Sequence, residues 1–201
     1  MTDDQALLDL AADLALQAAA KILEVRARGY AVSRKEDASV VTEADHAAEA
    51  IIVAGLRAAR PDILVVAEEE VASGQVPQAT AEFWLVDPLD GTREFTSGND
   101  DFAVNIGLVR NGRPALGVVG VPATGELFGG IVGVGAWKQL GNVRSPISAR
   151  TAPVAGATVV ASRNHGAGPE LDAFLAAHKV AEIRNYGSSL KFCRLAEGIA
   201  D

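Results

Sequence analysis

Trp84-Leu85-Val86-Asp87-Pro88-Leu89-Asp90-Gly91-Thr92 runs an apolar strand straight into two acids, a proline and a glycine. Pro88 holds φ and removes a donor, while Gly91 lets the backbone turn sharply or approach another segment closely. The amides that follow are free to open a helix N-terminus, which accepts anions. The segment therefore predicts a strand-to-helix corner with a carboxylate on each side of the bend. Asp87 and Asp90, with the carbonyl of Leu89 between them, are hard oxygen ligands of the kind Mg²⁺ prefers over imidazole and thiolate sites. Taken in isolation, the same residues also describe an Asp-Pro turn followed by a cap.

Upstream, Ile63-Leu64-Val65-Val66-Ala67 is a second apolar run, and it ends in Glu68-Glu69-Glu70. Charge runs usually line a solvated face. Acids at the end of a buried-type strand can equally set one carboxylate inward beside Asp87 and Asp90, an arrangement that calls for a cation to offset the repulsion. Farther up, Lys35-Glu36-Asp37-Ala38-Ser39 leads into Thr42-Glu43-Ala44-Asp45. Thr42, with Asp45 three positions on, predicts an N-cap with an approximate capping box; the helix runs through Ile51, Ile52 and Leu56 until Pro61 stops it.

The remaining pattern is scaffold. Leu7, Leu10, Leu14, Ala18, Ile22 and Val25 form the stripe of an amphipathic helix over 3–28 that Gly29 ends. Short β-prone runs at 83–86, 103–109, 115–121 and 127–132, joined by turns such as Asn111-Gly112, predict a meander. Beyond Arg150, a strand at 158–161, a helix over 169–178, a strand near Ile183 and a helix over 188–197 alternate as in α/β units. The expected organisation is an N-terminal α+β metal-binding lobe, 1–150, followed by a C-terminal α/β substrate-binding lobe, 151–201. Gly133-x-Gly135 reads as turns, since the third glycine of a dinucleotide fingerprint is missing.

Composition narrows the function. The 201 residues are 49% hydrophobic and 22% charged, enough to bury a core and unlike a disordered tail. Eighteen Lys and Arg against 26 Asp and Glu give a net charge of -8, with no basic stripe to follow a nucleic-acid backbone. Cys193, the single cysteine, excludes an internal disulfide and a structural multi-thiolate zinc site, so a reducing cytoplasm is the expected location. No apolar run approaches the roughly 18 residues of a membrane span. Cys193 lies in a predicted helix without a histidine partner and reads as a core residue rather than a nucleophile. His46 and His178 fall inside predicted helices and read as ordinary surface or packing residues.

Together, Thr42–Asp45, Glu68-Glu69 and Asp87–Thr92 resemble the linked motifs of the inositol monophosphatase superfamily of Mg²⁺-dependent, lithium-sensitive phosphatases. Arg93-Glu94-Phe95 and Gly187-Ser188-Ser189-Leu190-Lys191-Phe192-Cys193 resemble its 3'(2'),5'-bisphosphate nucleotidase branch. The resemblance spans the chain from about residue 4 to Asp201 and implies the layered αβαβα sugar-phosphatase fold. It assigns metal binding to Glu68, Asp87, Asp90 and the Leu89 carbonyl, with two or three Mg²⁺ ions and inhibition by Li⁺. Glu68 and Thr92 would orient the attacking water, with Asp37 steering water near a weaker ion; loop solvation accounts for Asp37 equally well. Gly91 and Thr92 would donate amides to phosphate, while His165, Ser188 and Lys191 would contact the nucleotide. For Ser188 and Lys191 the plainer readings are a cap and a surface helix residue.

The implied activity is hydrolysis of the 3'-phosphate of adenosine 3',5'-bisphosphate by metal-activated water, in the service of sulfur assimilation. Inositol monophosphatase or fructose-1,6-bisphosphatase activity is the alternative substrate class, and an inactive metal-binding module is the non-enzymatic one. A homodimer is common in the superfamily. The family's later Trp-Asp motif has no counterpart in these residues. The corresponding expectation is a weaker second ion, exposed apolar sheet surface, and reduced activity of the 201-residue chain by itself.

Overall fold

The computed structural model describes residues 3–34, 40–78, 80–163 and 168–201. Helix α1, Asp3–Arg28, carries acids in its first turn and Arg26 and Arg28 in its last, matching the helix dipole. Gly29, at φ 81°, turns the chain out of it. Strands β1, Val32–Arg34, and β2, Val40–Thr42, pair antiparallel. Thr42 then caps α2, Glu43–Ala59, with the full capping box through Asp45.

The central sheet follows as β3 Leu64–Ala67, β4 Glu82–Asp90, β5 Ala103–Arg110, β6 Arg113–Val121, β7 Glu126–Ile131, β8 Gly135–Leu140 and β9 Val143–Ile147, in spatial order β3-β4-β5-β6-β7-β8-β9. β3 and β4 are parallel; every later neighbour pair is antiparallel, giving the expected meander. Between the parallel pair lies the short helix α3, Glu68–Ala72, and between β4 and β5 lies α4, Thr92–Thr96.

The β8–β9 hairpin is an addition to the strands read from the sequence. Its Leu140 and Val143 are exposed, so it lacks the clean alternation of a half-buried strand. A cross-strand pair holds it instead, with the Arg144 guanidinium 3.7 Å from the centre of the Trp137 ring. Pro146 is tolerated because β9 is an edge.

α1 and α2 pack on each other and on one face of the sheet. Leu8, Ile22, Ile52, Leu56, Trp84, Phe95 and Phe102 are essentially inaccessible there. The other face is apolar and open. A concavity of about 970 Å³ is bordered by Leu85, Val109, Pro114, Val132 and Val134.

The second unit is a β-α-β turn: β10 Ala157–Ser162, α5 Pro169–Ala177 and β11 Val180–Tyr186, with β10 and β11 parallel. Helix α6, Leu190–Ala196, closes it. Leu190 and Cys193 of α6 share a small apolar cluster with Val121 and Phe128 of the central sheet. Beside that cluster Arg194 donates to both oxygens of Glu126, at 2.9 and 2.7 Å. Lys138 and Glu197 complete the charge network. The Arg194 guanidinium, more than any other group, pulls the Glu126 carboxyl down to about 2. No helix among the described residues is long and apolar enough to cross a membrane.

Candidate active site

Parallel register creates the acid pair. Ala67 of β3 lies opposite Val86 of β4, so the next residues, Glu68 and Asp87, emerge side by side at the carboxyl ends of the two strands. Their side chains are hydrogen-bonded to each other, which requires one of them to hold the proton. Burial first, and then the charges of Glu68 and Asp90, push the Asp87 carboxyl up to about 8. The three acids therefore converge, although Glu68 itself is exposed at the mouth of the site.

The corner after Asp87 has the form expected. The β4–β5 ladder is interrupted between Asp87 and Asp90, and the Leu89 amide donates back to Asp87 Oδ1 at 3.2 Å. Gly91 adopts φ 93°, and α4 begins at Thr92. A Cβ at Gly91 would stand 3.1 Å from the Asp101 carbonyl oxygen and 3.3 Å from Ser188 Cβ. Both the left-handed φ and the close approach thus select glycine.

Two buried acids one turn apart on α2 brace this assembly. Asp45 Oδ2 accepts from the Thr42 amide and hydroxyl at 2.8 and 2.7 Å, and its Oδ1 accepts from the Thr92 hydroxyl at 3.0 Å. Asp45 is therefore more than the cap read from the sequence: it sets the Thr92 rotamer. The Thr92 hydroxyl has one proton, offered to Asp45 or to the Leu89 carbonyl at 3.1 Å, so its lone pairs remain available as acceptors. Glu49, which sequence reasoning missed, accepts from the amides of Glu69 and Glu70 at 2.7 and 2.9 Å. Ala67 supplies no side-chain cap to α3, so Glu49 satisfies the helix start that carries Glu68. Burial raises the pKa of both Asp45 and Glu49 against the hydrogen bonds that lower it. The available signal was their i, i+4 spacing on a helix otherwise apolar on that face.

The opposite wall comes from the second unit. Ser188 has φ 48°, which delays α6 until Leu190, two residues later than the sequence suggests. Ser188 Oγ, not Ser189, accepts from the Leu190 amide, at 3.3 Å. Ser189 turns to the central sheet: its amide donates to Asp90 Oδ2 and its hydroxyl to Asn105 Oδ1, the latter at 2.8 Å. Lys191 Nζ donates to the Ser188 carbonyl. The cleft between the walls holds about 560 Å³ and is lined by Glu68, Asp90, Thr92, Ser188, Lys191 and Phe192, a volume suited to a small organic ligand. Asp87 instead borders the apolar concavity on the other side of the sheet. Asp37 and His165 lie outside the described residues.

Glu68, Asp87, Asp90 and the Leu89 carbonyl are all hard oxygen donors, and the unfavourable charge that holds the Asp87 proton is the kind a divalent cation offsets. The donor chemistry fits Mg²⁺ or a similar ion. Among the described residues, no set of three or more acid, histidine or cysteine side chains stands in metal-holding geometry. Cys193 is buried, and burial pushes its thiol up to about 12, a core residue and not a nucleophile. His178 stacks on Phe174 and contacts its carbonyl oxygen at 2.8 Å, while His46 is exposed, so both have the ordinary roles expected.

Comparison with known proteins gives one consistent answer. The family model described as "Inositol monophosphatase family" matches residues 3–201. A 3'(2'),5'-bisphosphate nucleotidase CysQ from Escherichia coli O157:H7 is 42% identical over 198 residues, covering 96% of this chain and 78% of the relative. The crystal structure of CysQ from Bacteroides thetaiotaomicron superposes with a TM-score of 0.77 at 34% identity, over 98% of this chain and 78% of that one. An inositol-1-monophosphatase from Synechocystis is 38% identical over 137 residues, 67% of this chain and 47% of the relative.

Proposed function

Because the chain belongs to the inositol monophosphatase family, we propose that it is a phosphoric monoester hydrolase of the 3'(2'),5'-bisphosphate nucleotidase type, acting on the 3'-phosphate of adenosine 3',5'-bisphosphate. The observation that carries this reading is the cleft itself. Glu68 and Asp90 line the same cleft as Ser188 and Lys191, and Asp87 interacts with both of those acids. The family is generally metal-dependent, and we assign Glu68, Asp87, Asp90 and the Leu89 carbonyl as the groups that hold Mg²⁺. When bound, the ions supply positive charge that draws in the phosphate and stabilises the negative charge developing in the transition state.

The chain's own residues do the rest. Thr92 Oγ1, its proton committed to Asp45 or to the Leu89 carbonyl, keeps a lone pair for a water proton and orients that water together with Glu68. The amides of Gly91 and Thr92 at the start of α4 serve the phosphate oxygens. Attack in line forms a new O–P bond as the P–O3' bond breaks; the proton given up by water ends on the ribose oxygen. The products are inorganic phosphate and adenosine 5'-monophosphate. Ser188 and Lys191 hold the remainder of the nucleotide, Lys191 as a point charge for its second phosphate. Asp37 and His165 keep their proposed places as a water-steering acid and a nucleotide contact. A cytoplasmic setting, a role in sulfur assimilation, inhibition by Li⁺ and a possible homodimer belong to the same proposal.

The test is phosphate release from adenosine 3',5'-bisphosphate, inositol monophosphate and fructose 1,6-bisphosphate, with Mg²⁺ and again with Li⁺ added. Preference for the nucleotide, lost on chelation and reduced by Li⁺, is the expected result. Preference for either sugar phosphate would overturn the substrate, and no release from any of the three would overturn the enzyme.

A further inference from the structure

Asp101 sits in the loop between α4 and β5 and is absent from every motif quoted above. Its side chain is 17% exposed and meets both segments of the second unit that approach the cleft. Oδ2 accepts from the Gly187 amide at 3.0 Å and from the Arg163 guanidinium. Gly187 opens the turn that carries Ser188 and Lys191, and Arg163 directly follows β10. These partners lie 86 and 62 residues away in the chain, so the contacts are tertiary.

The backbone of Asp101 is engaged as well. Its carbonyl oxygen would lie 2.7 Å from a Cβ at Gly187 and 3.1 Å from one at Gly91, and its own Cβ 2.9 Å from the former. Two glycines, one on each wall, thus close onto the same residue. Besides Asp101, the 187–189 turn reaches the central sheet through the Ser189 bonds to Asp90 and Asn105. Those bonds fix its far end, whereas Asp101 fixes its start. A turn held at both ends presents Ser188 and the Lys191 side chain at one distance from the acids.

We propose that Asp101 is a positioning residue that clasps the nucleotide wall to the acid wall and so sets affinity for substrates that span both. The clasp rests on the reading above, in which Ser188 and Lys191 hold the nucleotide. It implies a selective defect. A substrate reaching only the acid end does not need the clasp; one that reaches Lys191 does.

The experiment compares Asp101→Ala, Asp101→Asn and Arg163→Ala with the parent protein on adenosine 3',5'-bisphosphate and on p-nitrophenyl phosphate, a small ester that reaches only the acid end. Asp101→Ala is expected to raise KM for the nucleotide roughly tenfold while leaving kcat on both substrates, and KM for the small ester, within about threefold. Asp101→Asn keeps an oxygen for the Gly187 amide and loses the charge facing Arg163, so its KM and that of Arg163→Ala should rise less. Hydrogen exchange supplies a readout independent of turnover. The Gly187 amide should exchange faster in Asp101→Ala than in Asp101→Asn. Equal KM changes on both substrates, a fall in kcat with KM unmoved, or unaltered exchange at Gly187 would overturn the clasp. Should Asp101→Ala not fold, the Asn and Arg163 variants decide by the same criteria. A parent protein without nucleotide preference would instead overturn the substrate reading, and the exchange comparison would still judge the clasp.

Discussion

Glu68 and Asp87 leave adjacent parallel strands in register, and α2 braces this acid wall with two carboxylates a single turn apart. Ser188 and Lys191 arrive from a separate unit, held to the central sheet by contacts 84 to 99 residues apart in the chain. The first wall is assembled by secondary structure and its caps, the second by docking. Under the proposed function, the difference separates chemistry from selectivity: chemistry belongs to the rigid wall, where displacement is costly for every substrate, and selectivity to the docked wall, where small shifts are felt only by ligands that touch it.

Substitutions at the two walls should therefore fail differently, and the largest effect belongs to the acids. Asp87→Asn should lower kcat by roughly 10³-fold or more on nucleotide and small ester alike. A variant that lost only nucleotide turnover would erase the contrast between the walls. Asp45→Asn, which turns one of its oxygens into an amide donor and disturbs the Thr92 hydroxyl, should cost about 10²-fold in kcat on both substrates. Unchanged kcat there would reduce Asp45 to a helix cap. On the docked wall, Lys191→Ala should raise KM for the nucleotide roughly tenfold and leave the small ester unaffected, by steady-state kinetics on both.

A stability measurement sharpens the same comparison. The Asp87 carboxyl holds its proton up to about pH 8 in the fold, against 3.8 for a free side chain. Between those values the unfolded chain has already released a proton that the native state keeps, so stability must fall as pH rises through the window. The raised pKa values of Asp45 and Glu49 act in the same direction. Thermal melts in chelator should show a lower midpoint at pH 8 than at pH 5, with Asp87→Asn shrinking the difference. A higher midpoint at pH 8 would contradict the burial of Asp87 among like charges. The smallest expected effect is a control: replacing Arg60, paired with Asp3 and Asp62 at the surface, by Ala should leave the melting midpoint essentially unchanged.

Much of the acid wall is legible in the chain because its determinants are local. Pro88 and Gly91 announce the bend, Thr42 and Asp45 announce the helix start, and an apolar strand ending in acids announces Glu68. The adjacency of Glu68 and Asp87 was expected, but the cause is not local: it requires β3 and β4 to be parallel and in register. The docked wall reads less well. The Gly187–Lys191 segment suggests a cap and a cleft residue, and Ser188 does accept from the Leu190 amide, but the sequence does not show that Ser189 is spent on Asp90 and Asn105. Asp101 and Glu49 carry no motif, since each acts on backbone amides far along the chain and any nearby acid would look the same. The β8–β9 hairpin went unread because its strands are exposed and a Trp137–Arg144 contact replaces apolar alternation.

The sequence by itself determined the two long N-terminal helices, the Thr42 cap, most strands of the meander and the residue types able to serve hard cations and phosphate, because those follow from periodicity, backbone restriction and ligand chemistry within a few residues. Only the tertiary structure decided that Asp45 holds Thr92, that Glu49 caps the helix bearing Glu68, and that Asp101 joins the two walls. Such assignments depend on which buried amide or hydroxyl is left without a partner once the chain has packed, and that accounting closes only in three dimensions.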